Sequence, residues 1–371
     1  MFELDKQLEK VVAVAAANAV EVDRTSEFPA KAIEAFAASG LAGMCSATAV
    51  GGAGLGLAEA SRVVERLARE CASTAMIACM HYSGTAVIEA HGAEDVRRAI
   101  AGGKHLTTLA FSEAGSRSQF WASLGTATSD GSNARLTGKK SWVTSAHRAD
   151  SYVWSSKPVA GSEMSTLWLV PRATAGLRIE GTFDGLGLRG NDSSPITAEA
   201  ASIPASNRLG DDGAGFGIMM GVVLPWFDVL SASVSAGLME TAVERTAKHA
   251  GATTFQHAGS SVADLPTVRA FIARMRIKTD QTKALNADTL AAMGGKRPDT
   301  MLRVLECKAA AGEAAAEVTD LAMRVCGGAA FRKEVGVERV FRDARAALVM
   351  APTTDVLYDF IGKAVCGLPL F

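Results

Sequence analysis

The chain has 371 residues, 48% of them hydrophobic, and its 38 Lys and Arg residues against 39 Asp and Glu residues give a formal net charge of −1. This length and apolar content are enough for about two or three packed units. The balanced charge, without a local Lys/Arg tract, argues against nucleic acid or an anionic membrane as partner. The start lacks a basic leader and the longest apolar run, 215–227, is shorter than a bilayer span, so we expect a cytoplasmic protein with no membrane span.

The hydrophobic periodicity changes twice along the chain. Residues 4–103 are rich in Ala with helical spacing, which predicts an N-terminal helical domain over 1–103. Residues 104–215 instead contain short runs typical of strands, separated by Gly, Ser and Asn, and predict a central antiparallel β-barrel or sandwich domain. The predicted strands lie within residues 106–111, 121–128, 139–145, 151–156 and 165–170.

Helical spacing returns after Gly217, where Leu230, Val234 and Leu238 lie one turn apart. We predict a C-terminal four-helix bundle over 216–371. Helices, then strands, then helices make an α+β protein rather than a βαβ nucleotide fold.

Patterns for metal or nucleophilic catalysis are weak. The six histidines form no metal-spaced pair, and the six cysteines lack CxxC spacing, so we expect no metal site. Ser83 lies in HYSGT, which is not the GxSxG elbow of a serine hydrolase.

Two stretches of the central domain suit a planar ligand. Residues 109–119 read as a strand followed by a Ser/Gly turn whose hydroxyls and amides can bind a polar ring. Residues 138–146 read as a strand that places Trp142 and Thr144 on one face, for stacking on a ring and hydrogen bonding to it. Each also fits an ordinary loop or a buried strand Trp.

A third stretch, 324–345, contains Gly327 and Gly328, which let backbone approach a ligand closely. Taken alone, it also fits a glycine helix stop followed by a salt-bridged helix.

In order and spacing these stretches resemble motifs of the acyl-CoA dehydrogenase family. SEAGSRS (112–118) stands where that family has TEPxxGS, and WVTSA (142–146) is similar to its WITN or WITS strand. Residues 186–216 are similar to the GxRxSD…VP…LG segment that closes the β domain, and residues 326–345 to the HGGxGY…VERxxRDA segment. The resemblance covers nearly the whole chain. It implies FAD as cofactor, acyl-CoA or another acyl thioester as substrate, a homotetramer or homodimer, and an electron-accepting flavoprotein as a further partner.

The resemblance also assigns contacts to individual residues of the central domain. Ser112 and Thr144 would hydrogen-bond to the flavin ring, and Trp142 would pack on it. Ser118 would lie near the pantetheine of the thioester.

In the C-terminal domain the resemblance concerns the rest of the FAD. Gly327 and Gly328 would approach the FAD of a neighbouring subunit. Thr353 would cap the last helix beside the adenosine part.

The residue that resembles the family's usual catalytic base is missing. Where relatives read YEGT, this chain reads MAPTTDV (350–356), so Ala351 replaces the glutamate that removes the α-proton. In a minority of relatives the base stands before an Arg on a C-terminal helix, but Phe227 occupies that place here and Asp228 replaces the Arg. We expect Asp228 to be a relocated base, because apolar surroundings would raise its pKa toward a useful value. Asp355, one turn beyond Ala351, is the second candidate.

Two further departures from the family pattern concern the cofactor. The family's flavin-phosphate Arg falls near Ala252, and the Ser-Asp pair of RGSD is Asn191-Asp192. We therefore expect looser FAD binding than in relatives.

Three functions fit the sequence. The first is a flavoenzyme that oxidises the CH–CH bond of an acyl thioester with the relocated base. The second is a base-independent flavoenzyme of the same fold, such as a flavin-dependent monooxygenase or a lyase-type relative. The third is a catalytically silent subunit that binds flavin or acyl groups.

Overall fold

The computed structural model describes residues 2–161 and 164–370 and confirms the α+β class. The N-terminal part is helical, as predicted, because Ala, Val and Leu recur on one face of each amphipathic helix. In the first helix the buried face includes Leu8, Val11 and Ala15. The helices are α1 (Leu4–Thr25), α2 (Ala30–Ala38), α3 (Leu57–Ala68), α4 (Ala72–His91) and α5 (Glu94–Ala101).

The central part folds into two four-stranded sheets. The strands are β1 (Thr107–Ala110), β2 (Thr126–Asp130), β3 (Asn133–Val143), β4 (Ser151–Ser156), β5 (Thr166–Pro171), β6 (Leu177–Ile179), β7 (Ser194–Pro204) and β8 (Arg208–Leu209). One sheet has the order β1-β4-β5-β8 and the other β2-β3-β7-β6. The pairs within these sheets are antiparallel, as predicted, except that β1 and β4 are parallel. Trp154, Trp168 and Tyr152 fill the core of this part.

The C-terminal part is helical again. A short helix α6 (Gly215–Ile218) and a π-helical turn, Met219–Val223, lead into the long helix α7. After α7 a two-stranded ribbon is formed by β9 (Thr254–Phe255) and β10 (Ser260–Ser261). The main helices are α7 (Leu224–Ala252), α8 (Pro266–Gly294), α9 (Thr300–Cys326), α10 (Val337–Ala344), α11 (Ala346–Val349) and α12 (Thr354–Val365). Helices α8, α10, α11 and α12 all contact α9, whose buried face includes five Ala residues and Gly312, small side chains that allow close approach.

The chain divides into two compact units that do not follow the order of the sequence. The first contains residues up to 63, 73–184 and 189–227. The second contains 64–72, 185–188 and the chain from 228 onward. The division into 1–103, 104–215 and 216–371 that the sequence predicts stays a prediction.

Two short segments are built into the second unit by direct contacts. The Leu188 backbone N–H donates to Asp343 Oδ1 at 2.7 Å. A Cβ at Gly187 would lie 2.5 Å from the Arg342 carbonyl oxygen, and one at Gly237 would lie 2.3 Å from the Glu65 carbonyl oxygen. Only glycine fits where the backbones approach this closely.

The continuous helical stretch Gly215–Ala252 is long and apolar enough to cross a membrane, with a mean hydropathy of 1.6 in its most apolar window. This stretch is longer than the apolar run 215–227, from which no membrane span was expected. However, 72% of that window is buried inside the protein. Such burial is typical of a core helix in a bundle.

Candidate active site

In the first unit, the ends of β1 and β3 bring two predicted ligand-binding stretches together. The Ser112 carbonyl accepts a hydrogen bond from the Ser141 N–H at 2.8 Å. A register shift between Lys140 and Val143 bulges β3 at this point, and Trp142 adopts a left-handed φ of 56°. A bulge re-aims side chains, and Trp142 is indeed 70% exposed.

Thr144 differs from Trp142 in its surroundings. Strand β3 ends at Val143, so the strand alternation that predicted a shared face does not extend to Thr144. Its side chain is buried and its hydroxyl lies 3.2 Å from that of Ser193. The expectation of one common face for the two side chains is therefore wrong, because the bulge interrupts the alternation.

A buried ion pair holds the loop that follows Ser112. Lys140 Nζ lies 3.0 Å from Glu113 Oε1, and both side chains are almost fully buried. The Glu113 carboxylate also accepts the backbone N–H groups of Leu124, at 2.5 Å, and Gly125, at 3.0 Å. Lys140 donates to Ser155 Oγ at 2.8 Å. Burial lowers the pKa of Lys140 to about 8, although Glu113 raises it in part. The pair closes the loop 113–125, in which the half-buried Ser118 lies.

The Asn191-Asp192 pair shapes the turn after Thr144. The Asn191 carbonyl accepts the Ser145 N–H at 2.9 Å, and Asp192 Oδ2 accepts the His147 N–H at 2.7 Å. Asn191 Oδ1 is buried without a hydrogen-bond partner. This orphaned acceptor is suited to a ligand donor.

In the second unit, Gly327 and Gly328 follow the end of α9 and are exposed. Gly327 has a φ of +55°, a conformation that favours glycine, and a Cβ at either position would meet nothing within 4 Å. Thr353 is the residue before α12, where its carbonyl accepts the Leu357 N–H at 3.0 Å. Asp355 lies in the first turn of α12 and is exposed.

Asp228 lies on α7 with none of its surface exposed. Neither of its carboxylate oxygens has a hydrogen-bond partner among the described residues. Burial raises the pKa of this carboxyl well above its ordinary range, and the positive charge of Lys308 opposes that rise in part. A buried acid without donors is unusual in a folded protein, and a raised pKa makes a carboxylate a stronger base.

Lys308 lies on the buried face of α9 and is 2% exposed. Its ammonium donates to the carbonyl oxygens of Met350, at 3.0 Å, and Pro352, at 2.6 Å. These carbonyls flank Ala351, the residue expected above to replace a catalytic glutamate. The segment 350–352 is thus fixed from the protein interior by a lysine.

The predicted residues fall into two groups. The first unit holds Ser112, Ser118, Trp142 and Thr144, and the second holds Asp228, Asp355, Gly327, Gly328 and Thr353. Sequence reasoning missed Glu113, Lys140 and Lys308. The signal for Lys308 was available, since CKAAAGEAAA places a lysine among small apolar residues of a helix.

Three family profiles match consecutive parts of the chain. The N-terminal domain of acyl-CoA dehydrogenases matches residues 3–103, the middle domain 108–201 and the C-terminal domain 213–366. The chain belongs to the acyl-CoA dehydrogenase family. Its predicted fold, with helical, β and helical parts in this order, is confirmed.

Individual relatives span nearly the full chain. The cyclohex-1-ene-1-carbonyl-CoA dehydrogenase of Geobacter metallireducens is 28% identical over 357 residues, which cover 94% of this chain and 93% of that protein. Butyryl-CoA dehydrogenase from Megasphaera elsdenii has a similar structure, with a TM-score of 0.91 at 20% identity over 99% of each chain. The FAD complex of PigA gives 0.90 at 19% identity over 99% of this chain and 98% of that one.

FAD is the cofactor of this family, and the residues present fit it. Trp142 exposes an indole that a flat ring can cover. In the first unit, Asn191 Oδ1 has no hydrogen-bond partner among the described residues and can accept from a ligand donor. In the second unit, a Cβ at Gly327 or Gly328 would meet nothing within 4 Å. Ser112 and Trp142 would hold the ring, whereas Thr144 is buried, with its hydroxyl 3.2 Å from that of Ser193.

Proposed function

We propose that this chain oxidises the CH–CH bond of an acyl thioester, with Asp228 as the base that removes the α-proton. The proton leaves the α-carbon for an Asp228 oxygen while the electrons of the C–H bond form the new double bond. When bound, FAD would supply the acceptor for the hydride that leaves the β-carbon. The products are an enoyl thioester, reduced flavin and a protonated Asp228.

The observation that supports this proposal is the state of the Asp228 carboxyl. It is fully buried, neither oxygen accepts a hydrogen bond from the described residues, and its pKa is raised. Asp355 is instead exposed to solvent in the first turn of α12. Ala351 has no ionisable group. Asp228 is therefore the better of the two candidate bases.

The test is anaerobic mixing of the FAD-loaded protein with a panel of acyl-CoAs, followed by the loss of oxidised-flavin absorbance. We expect wild type to be reduced by at least one acyl-CoA. Asp228→Asn keeps the shape of the side chain and should slow reduction by about 10²–10⁴-fold, the usual contribution of a positioned general base. Asp355→Asn is the matched control and should leave the rate unchanged.

Other outcomes select other functions. Reduction at the same rate in Asp228→Asn and a slow rate in Asp355→Asn would transfer the role to Asp355. A protein that needs a reductase and oxygen would be a monooxygenase, and one that neither reduces its flavin nor turns over would be a silent subunit.

We further propose a homotetramer or homodimer in the cytoplasm that passes electrons to a flavoprotein acceptor. Phe331, which is 82% exposed four residues after Gly327, supports a subunit contact near these glycines. Light scattering that gives a 38.5 kDa monomer at all concentrations would contradict the assembly.

A further inference from the structure

We infer that Lys308 is the positioning residue of this active site, which fixes the segment 350–352 from the protein interior and provides the countercharge for Asp228. The inference rests on the proposed role of Asp228 as base. It assigns a function to a buried lysine that stands on neither of the two segments in which relatives carry their base.

The first observation is geometric. Lys308 Nζ donates to Met350 O and Pro352 O, on both sides of Ala351. Two charge-assisted hydrogen bonds to one short segment fix its path more firmly than neutral bonds would. Because the methyl group of Ala351 cannot make such contacts, the polar side chain that anchors this segment on both sides of Ala351 is Lys308.

The second observation is the charge around Asp228. The buried face of α8 is neutral, with Thr279, Thr282, Asn286 and Thr289 among its members, and the buried residues of α12 are neutral too. From α9 the titratable neighbours are Lys308 and Cys307. Burial raises the pKa of the Cys307 thiol, and Asp228 raises it further, so Cys307 stays neutral. Lys308 is thus the positive charge that acts on Asp228 among the described residues.

These observations give Lys308 a defined effect on the chemistry. An isolated carboxylate in an apolar core is strongly disfavoured. The charge of Lys308 lowers the pKa of Asp228 and so favours the ionised form, which can accept the α-proton. Without Lys308, the same carboxyl stays protonated to a higher pH and the segment 350–352 loses its anchor.

The experiment compares Lys308→Met with Lys248→Met, which removes an exposed lysine from α7. The pH profile of flavin reduction should keep its midpoint in Lys248→Met. In Lys308→Met the midpoint should move upward by about one to three pH units, the usual effect of removing an opposite charge. Below the midpoint the rate should fall about tenfold for each pH unit of this movement, because only the ionised fraction acts as base. An unchanged midpoint would overturn the inference.

A second measurement separates this inference from the proposed function, since it needs no turnover. Between the ordinary pKa of an aspartate and its raised value in the fold, the folded state holds a proton that the unfolded state releases. Stability therefore falls as pH rises through this window and is level above it. The fall should extend to higher pH in Lys308→Met and be absent from Asp228→Asn. If the flavin of wild type is never reduced by acyl-CoA but stability has this pH dependence, the catalytic proposal fails. The inference that Lys308 is the countercharge of Asp228 then stands.

Amide hydrogen exchange in 350–356 gives the positional part of the test. It should rise at least about tenfold in Lys308→Met and stay unchanged in Lys248→Met. If Lys308→Met does not fold, Lys308→Met with Asp228→Asn should fold, because both charges are then gone. Failure of this double variant alongside a folded Asp228→Asn would contradict the countercharge role.

Discussion

Lys140 Nζ lies 3.0 Å from Glu113 Oε1, with both charges in the interior of the β sheets. Glu113 follows Ser112, and Lys140 precedes Trp142 by two residues. The pair therefore connects the two stretches that are proposed to hold the flavin ring. The Glu113 carboxylate also ties the two ends of the loop 113–125 together, because the backbone N–H groups of Leu124 and Gly125 donate to it.

We predict that Lys140→Met destabilises the protein by about 3–5 kcal/mol, since it leaves Glu113 as an uncompensated buried charge. FAD affinity should fall as well, because Ser112 and Trp142 lose their common support. Thermal unfolding and fluorescence titration of the apoprotein with FAD measure the two effects. Lys139→Met is the control, since Lys139 is exposed and pairs with Glu180 at the surface. A folded Lys140→Met with wild-type FAD affinity would refute the link.

Replacing Trp142 should separate flavin binding from folding. Trp142→Ala removes a side chain that is 70% exposed, so the apoprotein should unfold at nearly the wild-type temperature. Loss of aromatic stacking costs about 0.5–1.5 kcal/mol, which corresponds to roughly 2- to 12-fold weaker FAD binding. Val365→Ala, which alters a similarly exposed residue on α12, should not change the affinity. Equal affinities in both variants would show that Trp142 does not contact the ring.

The buried His81 predicts a loss of stability in mild acid. His81 Nε2 lies 3.0 Å from the Ala42 carbonyl oxygen, and its Nδ1 accepts the Thr107 N–H at 3.2 Å. Burial lowers the pKa of His81 to about 4. Between its unfolded value near 6.5 and this value, the unfolded state binds a proton that the folded state does not, so stability falls as pH drops.

The contribution of His81 to this loss between pH 7 and pH 5 is about 2 kcal/mol, at about 1.4 kcal/mol per pH unit below 6.5. The raised pKa of Asp228 acts in the opposite direction over the same range, so the measurement is made in the Asp228→Asn background, which lacks that contribution. Urea unfolding of this variant at the two pH values measures the loss, and the substitutions below are made in the same background. His81→Gln should remove this difference whatever its own cost in stability, whereas His257→Gln, at an exposed position, should keep it. A difference that persists in His81→Gln would assign the acid sensitivity to another group.

Restoring the family's acid should create activity through a second route. The variant combines Ala351→Glu, Asp228→Arg and Pro352→Gly, so that the new carboxylate has the neighbours found in relatives. Its flavin should be reduced by acyl-CoA even if wild type is inactive. The same variant with Gln instead of Glu at position 351 is the control and should be at least about 10²-fold slower. Equal rates would show that position 351 does not reach the α-carbon.

The local sequence pattern predicted a strand correctly where all of its side chains are buried. The strand predicted over 151–156 has these bounds in the structure, and its six residues are all buried. Strand β7 was missed because TAEAAS lacks β-branched alternation. It is held by its pairing with β3 and β6, and pairing between distant segments leaves no local signal.

Local and long-range signals also differ for the residues of the candidate active site. Asp228 could be proposed from the sequence, since it replaces the Arg of a family motif. The outward direction of Trp142 and the hydrogen-bond partners of Lys308 could not be predicted. The first depends on a bulge set by the neighbouring strand, and the second on the carbonyls of a segment 42 residues away in sequence.

The contacts of residues 185–188 and 64–72 have a consequence for the design of truncated forms of this protein. A fragment that starts at residue 216 would contain Asp343 but not the Leu188 N–H that donates to it. Such a fragment would also lack Glu65, whose Oε1 forms an ion pair with Lys283 Nζ at 2.8 Å. The C-terminal helices are therefore unsuited to expression on their own. Supplying the missing segments as a co-expressed N-terminal fragment is the more promising design for a split protein.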